Sequence, residues 1–424
     1  IETFLLEKVR VIKQNSRERN FHIFYEFVNG VPQEIRNHIQ LDKFFNKNDS
    51  YLEKHSIPSD KEHFLNLSKL LYNINVDQTK QYNIWKIITF IIVLIDYSYE
   101  LKMDKLQFLS SLLNTNMTSL MEIFYTKRII VNDESIHSEH TEEEFYEAKE
   151  SLIMKLYSRL FEYIVSTVNE NISLDRKQDR FIGILDIFGF ESLETNSFEQ
   201  LCINYANETL QNQFNKYSLE QEQKEYKLEG IKWEYITFTD NIECIQLLSG
   251  KMGVFKILDE QCKVPNGNDT TFLGRMNKEF TSNQYYTCNN LHNQQSFTIK
   301  HYADKIDYQI KDFCNKNRDV VSNEIMNLVN EFDLFKSNSG HDGNQSNVSR
   351  IGSKTISKQF ISQMTDLMSI INQTGIHYVR CFKPNDIDSP TECNRIKILE
   401  QLQNNGILEA IKVSRHSFPI KYKY

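Results

Sequence analysis

Three residues of the stretch DIFGFE carry a candidate chemistry: Asp186, Gly189 and Glu191. A carboxylate, an amide with no Cβ beside it and a second carboxylate are what a phosphate and its metal ion need. Asp186 ends the apolar run 181–185 (FIGIL), which would bring it near the metal. Gly189 lacks a Cβ, so its N–H can approach a phosphate closely. Glu191 can hold a basic partner or orient a water. The same residues also read as a core strand, a turn and an ordinary helix, and residue types alone leave both readings open.

The elements around this turn must position it. The apolar run predicts a strand buried on both faces. After the turn, Ser197 and Gln200 form a capping box, and Glu199 places negative charge at the positive helix end. Phe198, Leu201, Cys202 and Tyr205 recur at helical spacing and predict one buried stripe.

Composition limits the class. Hydrophobic residues make up 40% of the 424, enough for a sizeable core, and only 6 prolines and 13 glycines argue against a disordered or fibrous chain. The net charge of −8 disfavours a nucleic-acid binder. The 7 cysteines are scattered with no CxxC, which suits a reducing compartment and neither a disulfide frame nor a zinc site. The most apolar run, residues 87–95, is shorter than the ~20 residues a bilayer requires. It predicts a buried helix.

Further along, Phe21, Phe24, Tyr25 and Val28 form a helical stripe that Gly30 caps and Pro32 stops. The opening residues 1–12 read as strand-like and as the middle of a longer protein. His22, His38, His55 and His63 are isolated, which does not suit a metal site. Residues 125–139 predict a hairpin. Thr141 and Glu144 form another capping box, followed by a stripe from Ala148 through Leu152, Leu156, Tyr157, Leu160, Phe161, Ile164 and Val165 to Val168. Residues 253–272 predict two helices joined by a tip at Val264, Pro265, Asn266 and Gly267, with Asp269 or Thr270 as the second cap. Alternation over 296–310 predicts a hairpin. Residues 337–353, rich in Ser, Asn and Gly, predict a flexible loop with basic flanks. Residues 377–382 (HYVRCF) predict a strand.

DIFGFE resembles the switch II motif of myosin motor domains, and NSFEQLCINYANE at 196–208 is similar to their relay helix. HYVRCFKPN at 377–385 resembles a myosin signature near the lower actin-binding surface. LYSRLF at 156–161, KNRD at 316–319 and LEQLQNNGILEAIKVSRHSFPIKY near the end also resemble myosin segments, and together the motifs stand in the family's order. The last resembles the reactive-thiol helix, with two departures. Ser414 stands where many myosins carry a reactive cysteine, and Ser417 replaces the glycine of the RxGFP pattern.

The resemblance implies an α/β P-loop NTPase-like core of the myosin/kinesin type with large helical lobes, this chain being mostly helical with a central mixed sheet. It implies an upper actin-binding lobe at 1–180 and the switch II strand with relay helix at 181–230. A lower actin-binding lobe with a hairpin and a basic loop would follow at 231–354. Residues 355–424 would hold an actin-proximal helix, a core strand and the thiol-type helix.

It further implies an actin-based motor that couples hydrolysis of ATP with Mg²⁺ to filament binding in the cytoplasm. Gly189 would bind the γ-phosphate, Asp186 would support the Mg²⁺ shell through water, and Glu191 would pair with a switch I arginine. Glu134, Val264, Pro265, Asn266, Lys354, Met364, Leu367, Met368, Ile371, Lys383, Pro384 and Asn385 would face F-actin. Light chains or calmodulin would bind only through a lever arm beyond Tyr424. Neither nucleic acid nor membrane insertion is implied. The sequence holds no GxxxxGK[ST] loop, and the resemblance places that loop, switch I and the converter beyond the chain's ends. The alternatives are a non-enzymatic actin-binding module and a different P-loop ATPase with a similar strand.

Overall fold

The computed structural model describes the chain except residues 4–6, 15–18, 46–50, 101, 132–133, 173–179, 232–239, 289–294, 319–320, 337–354, 380, 386, 388, 405–406, 408–410 and 412–424. The side chains of residues 51, 53, 128–131, 134–137, 218–225 and 403–404 are likewise outside the description. Residues 337–353, where the sequence predicts a flexible loop, and Lys354, Ser414 and Ser417 therefore lie outside the described residues. The chain divides into two compact units, Ile1–Arg180 with Val320–Ser349, and Phe181–Asp319 with Arg350–Tyr424.

The first unit is helical. Its elements are α1 (His22–Gly30), α2 (Gln33–His38), α3 (Tyr51–Lys54), α4 (Asp60–Asn73), α5 (Gln78–Ile95), α6 (Met103–Leu112), α7 (Met117–Tyr125) and α8 (Glu142–Ile172), with α14 (Asn323–Asn330) and α15 (Asp333–Lys336) returning to it. Among the described residues of 1–12 there is a short 3₁₀ turn at Lys8–Val11 and no strand. The centre is α5, apolar on all sides from Ile87 to Leu94 and buried as such a helix must be. Asp77 caps it by accepting from the Lys80 amide at 2.9 Å. Trp85 meets Phe64 at 4.9 Å and Phe27 at 5.7 Å between ring centroids.

Gly30 ends α1, but its importance lies in packing. A Cβ built there would stand 2.3 Å from the Phe64 Cβ, so only glycine lets α1 and α4 approach this closely. The hairpin is β1 (Thr126–Val131) paired antiparallel with β2 (Glu134–Glu139), Thr126 opposite Glu139. The α8 capping box forms in both directions, Thr141 N–H to Glu144 at 3.0 Å and Glu144 N–H to the Thr141 hydroxyl at 3.2 Å. Its buried face keeps Leu152, Leu156, Tyr157 and Leu160 and runs on through Tyr163 and Thr167, while Phe161 and Val165 are half-buried. Lys149 reaches from α8 to the end of α5, donating to the carbonyls of Ile95 at 3.0 Å and Tyr97 at 2.9 Å. Burial lowers its pKa, and the unsatisfied carbonyls of the helix end receive the ammonium.

The second unit holds α9 (Phe198–Leu228), α10 (Ile242–Ser249), α11 (Val254–Lys263), α12 (Asp269–Glu279), α13 (Phe313–Arg318), α16 (Ile356–Asn372) and α17 (Arg395–Asn404). Its sheet is antiparallel, ordered β3 (Tyr286–Cys288), β4 (Ser296–Lys300), β5 (Lys305–Gln309). Phe297 lies opposite Tyr308 and Ile299 opposite Ile306, and all four are buried as their alternation predicts. The Gln309 N–H donates to the Asn196 carbonyl at 2.9 Å, docking the approach to α9 on β5.

Two expected strands are not strands. Residues 181–185 are irregular, with Ile182 and Ile184 96% and 94% exposed. The described residues of 377–382 are also irregular, and Val379 is 86% exposed. A strand needs neighbours for its N–H and C=O groups, and among the described residues no strand pairs with either run. The described sheets are thus two- and three-stranded and antiparallel, and the central mixed sheet is absent among the described residues.

Replacing Gly30 with alanine is expected to destabilise the chain by about 1–3 kcal/mol through overpacking, read as a lower urea midpoint at unchanged slope. Exposed apolar surface at 181–188 predicts dye binding and self-association. The double change Ile182→Lys with Ile184→Lys should reduce both, measured by dye fluorescence and light scattering, without lowering the thermal midpoint.

Candidate switch turn and its supporting network

The turn at 186–191 is held although its strand is not formed. Asn204, on the inner face of α9, accepts the Glu191 N–H at 2.8 Å and donates to the Glu191 carbonyl at 2.8 Å. One turn further on, Asn207 donates to the Phe188 carbonyl at 3.0 Å. Gln200 donates to the Glu191 carboxylate at 3.1 Å and accepts the Ser197 N–H at 2.9 Å, completing one half of the expected capping box. Ser197 Oγ does not close the other half. It accepts from Lys316 Nζ at 2.9 Å, which also pairs with Glu199 at 2.8 Å. Phe190 is buried, its ring edge-on to His301 and Tyr302.

The three candidate residues therefore differ in setting. Glu191 is half-buried and clamped, while Asp186 and Gly189 are exposed. A Cβ at Gly189 would meet nothing within 4 Å, so the space beside its Cα is open. The structure thus shows an exposed glycine, an exposed carboxylate and a fixed second carboxylate along one turn. The predicted stripe behind it holds, with Phe198, Leu201, Cys202 and Tyr205 all buried.

Behind the turn lies a buried polar network. Tyr308 Oη accepts from Asn204 Nδ2 at 2.8 Å and donates to His301 Nε2 at 2.8 Å. His301 Nδ1 in turn hydrogen-bonds Glu208 at 3.0 Å. Glu208 also receives the Tyr302 N–H at 2.8 Å, the Cys244 thiol at 3.4 Å and the Asn241 amide. Glu208, Cys244 and His301 bring ligand-type atoms within 4.8 Å of one another. Their chemistry does not suit a metal: four donors already occupy the carboxylate, and burial with Glu208 beside it pushes the Cys244 thiol up, away from the thiolate a metal binds. Burial likewise pushes the Tyr308 phenol up and keeps it a donor. Sequence reading missed this network. Its signal was polar Asn204 and Glu208, four residues apart beside an apolar helical stripe.

The tip between α11 and α12 presents Val264, half exposed, with Pro265 and Asn266 exposed beside it. Asn266 takes φ +67°, which asparagine tolerates. A Cβ on Gly267 would stand 1.9 Å from the Gln261 carbonyl oxygen, so the turn requires glycine there. Arg318 clamps it, donating to the carbonyls of Gly267 at 2.6 Å and Cys262 at 3.2 Å. The α12 cap is Asn268 paired with Thr271, in place of Asp269 or Thr270. Asp269 instead accepts the amides of Asp312 at 2.7 Å and Cys314 at 2.8 Å.

Other candidate contacts divide by exposure. Met364 and Leu367 are buried and hold α16 to its unit, and Met368 and Ile371 are half-buried. Lys383 and Pro384 are exposed. Asn385 is buried and organises its own loop, donating to the carbonyls of Ser389 at 2.7 Å and Glu392 at 2.8 Å. Glu134 opens β2, and its side chain lies outside the description. A groove lined by Tyr205, Thr209, Met364 and Met368 includes none of residues 186–191.

The family model "Myosin head (motor domain)" matches residues 1–424. The chain is 32% identical to Myosin-51 of Schizosaccharomyces pombe over all of its own length and 31% of that protein. It is 31% identical to Unconventional myosin-Vc of Homo sapiens, again over all of this chain and 26% of the relative. With Unconventional myosin-XIX of Xenopus laevis it shares 32% identity over all of this chain and 46% of the relative. The chain thus spans less than half the length of these relatives, and it belongs to the myosin head (motor domain) family.

Proposed function

We propose that this chain is the switch-sensing and actin-facing part of an actin-based motor in the cytoplasmic actin cytoskeleton. The observation that carries this reading is the pair of hydrogen bonds between Asn204 and the Glu191 backbone, set within a family match over the whole chain. ATP with Mg²⁺ would supply the phosphoryl transfer and its charge stabilisation. Gly189 offers its amide to the terminal phosphate, Asp186 offers a carboxylate to the metal's water shell, and Glu191 holds a basic partner from switch I. Any displacement of residues 188–191 is carried to α9, because Gln200, Asn204 and Asn207 grip the turn at three points. Residues 1–180 and 231–354 supply the upper and lower actin-binding lobes. F-actin meets Val264, Pro265, Asn266, Lys383 and Pro384, and Met368, Ile371, Glu134 and Lys354 are further candidate contacts.

A second reading is an actin-binding module without catalysis. The exposed apolar tip favours it, since that surface requires no nucleotide to form. The genomic sequence upstream of the Ile1 codon separates the two. A GxxxxGK[ST] loop and a switch I segment there carry the motor, and a start codon at that point carries the module.

The purified 424-residue chain is expected to cosediment with F-actin and to turn over no ATP, because its sequence holds no phosphate loop. Val264→Asp should weaken cosedimentation at least several-fold, and a chain that never cosediments at low salt would overturn actin binding. Asn204→Leu should cost about 1–3 kcal/mol by orphaning the Glu191 backbone. Hydrogen exchange at 188–193 should accelerate in that variant, and unchanged protection there would refute the clamp.

A further inference from the structure

A second chemistry lies beneath the α11–α12 tip. Cys262 is on the last turn of α11 and Cys314 on the first turn of α13. The Cys262 thiol donates to the Cys314 carbonyl oxygen, 3.5 Å away, which brings the two residues side by side. Asn317 Nδ2 donates to the Cys262 sulfur at 3.5 Å, and Arg318 Nε donates to the Cys262 carbonyl at 3.2 Å. Asp269 fixes the Cys314 amide at 2.8 Å, so neither cysteine backbone is free to drift. Cys262 is partly open to solvent, and Cys314 is buried behind it.

The pair differs from the other described cysteines in electrostatics too. Burial pushes up the thiols of Cys202, Cys244 and Cys288. Cys262 is held below the ordinary thiol value by the adjacent Cys314 side chain, the Asn317 hydrogen bond and the Arg318 charge, against an opposing burial effect. Cys314 is pushed up by the adjacent Cys262 side chain and by burial. One thiol favours the nucleophilic form and its neighbour waits as the resolving group.

We propose that Cys262 and Cys314 form a covalent-modification site, a cysteine pair that hydrogen peroxide converts to a disulfide joining α11 to α13. The Cys262 thiolate attacks one peroxide oxygen, the O–O bond breaks, and hydroxide leaves and takes up a proton as water. Cys262 is then a sulfenic acid. The Cys314 sulfur attacks the Cys262 sulfur, the S–O bond breaks, and the departing hydroxyl takes the Cys314 proton as a second water. The two sulfurs together lose two electrons, and the peroxide gains them. The bond would tie the end of α11, and with it the tip at Val264, to the same helix whose Arg318 clamps Gly267. This inference does not rest on the motor reading.

The test treats the purified chain with a small excess of hydrogen peroxide, quenches with catalase, alkylates in denaturant with N-ethylmaleimide and maps peptides without reduction. A Cys262–Cys314 linked peptide that dithiothreitol removes is the expected result, appearing before Cys202 or Cys244 loses alkylation. Cys314→Ser should leave Cys262 as a sulfenic acid that dimedone captures, and Cys262→Ser should leave Cys314 fully alkylated. Circular dichroism of each variant establishes that it is folded. Full alkylation of both residues in the treated chain, while Cys381 or Cys393 oxidises, would overturn the proposal. So would a disulfide from Cys262 to any other cysteine.

Discussion

The two hydrogen bonds between Asn204 and the backbone of Glu191 are the constraint on which the second unit's functional region depends. An irregular turn has N–H and C=O groups with no ladder to satisfy them. A primary amide is the side chain that can accept from one and donate to the other of the same residue. Asn204 does this from the buried face of α9, where it is itself fully buried. The remaining hydrogen on its nitrogen goes to Tyr308, and the relay continues through His301 to Glu208. One residue thus links the turn, the long helix and the hairpin β4–β5. Partial satisfaction of such a network is costly, because each orphaned buried group carries a penalty of about 1–3 kcal/mol.

The lower tip is organised by the same means with different residues. Asp259 accepts from Asn317 at 3.1 Å and from Ser357 at 2.6 Å, and the Ser357 N–H donates to Asn317 at 2.8 Å. These contacts lock α11, α13 and the start of α16 together. Arg318, next along α13, then holds the tip by its carbonyls. Apolar contact fills the interior, but polar contacts decide where each helix end stops. In the first unit Lys149 serves α5 the same way, placing an ammonium on the carbonyls that a helix end leaves open.

Periodicity made much of this legible before any coordinates. The stripes of α1, α8 and α9, the apolar run of α5, the two hairpins and the capping box at Thr141 are local patterns, and local patterns survive in a single sequence. Residues 181–185 and 377–382 were not legible in that way. Their apolar character is real, but strand formation depends on neighbouring strands, and that dependence is not written in the run itself. The cap at Asn268 was missed for a smaller reason: Asn, Asp and Thr all suit the role, and Asp269 is drawn instead to the amides of α13. The buried relay was hidden because its members lie far apart in the chain. Asn204 to Tyr308 is a separation of 104 residues.

Why a polar network should occupy the inner face of α9 follows from register. An apolar stripe alone tolerates small slides of a helix along its neighbours, since hydrophobic contact is not directional. Gln200, Asn204 and Asn207 are spaced by four and three residues, so all three address the turn from one side. A slide of one residue, about 1.5 Å along the axis, would break all three sets of bonds together. Intermediate positions therefore lose polar partners without gaining new ones, and the helix either keeps its grip on the turn or moves with it. The polar grip thus fixes the register of α9 against the turn more sharply than apolar packing could.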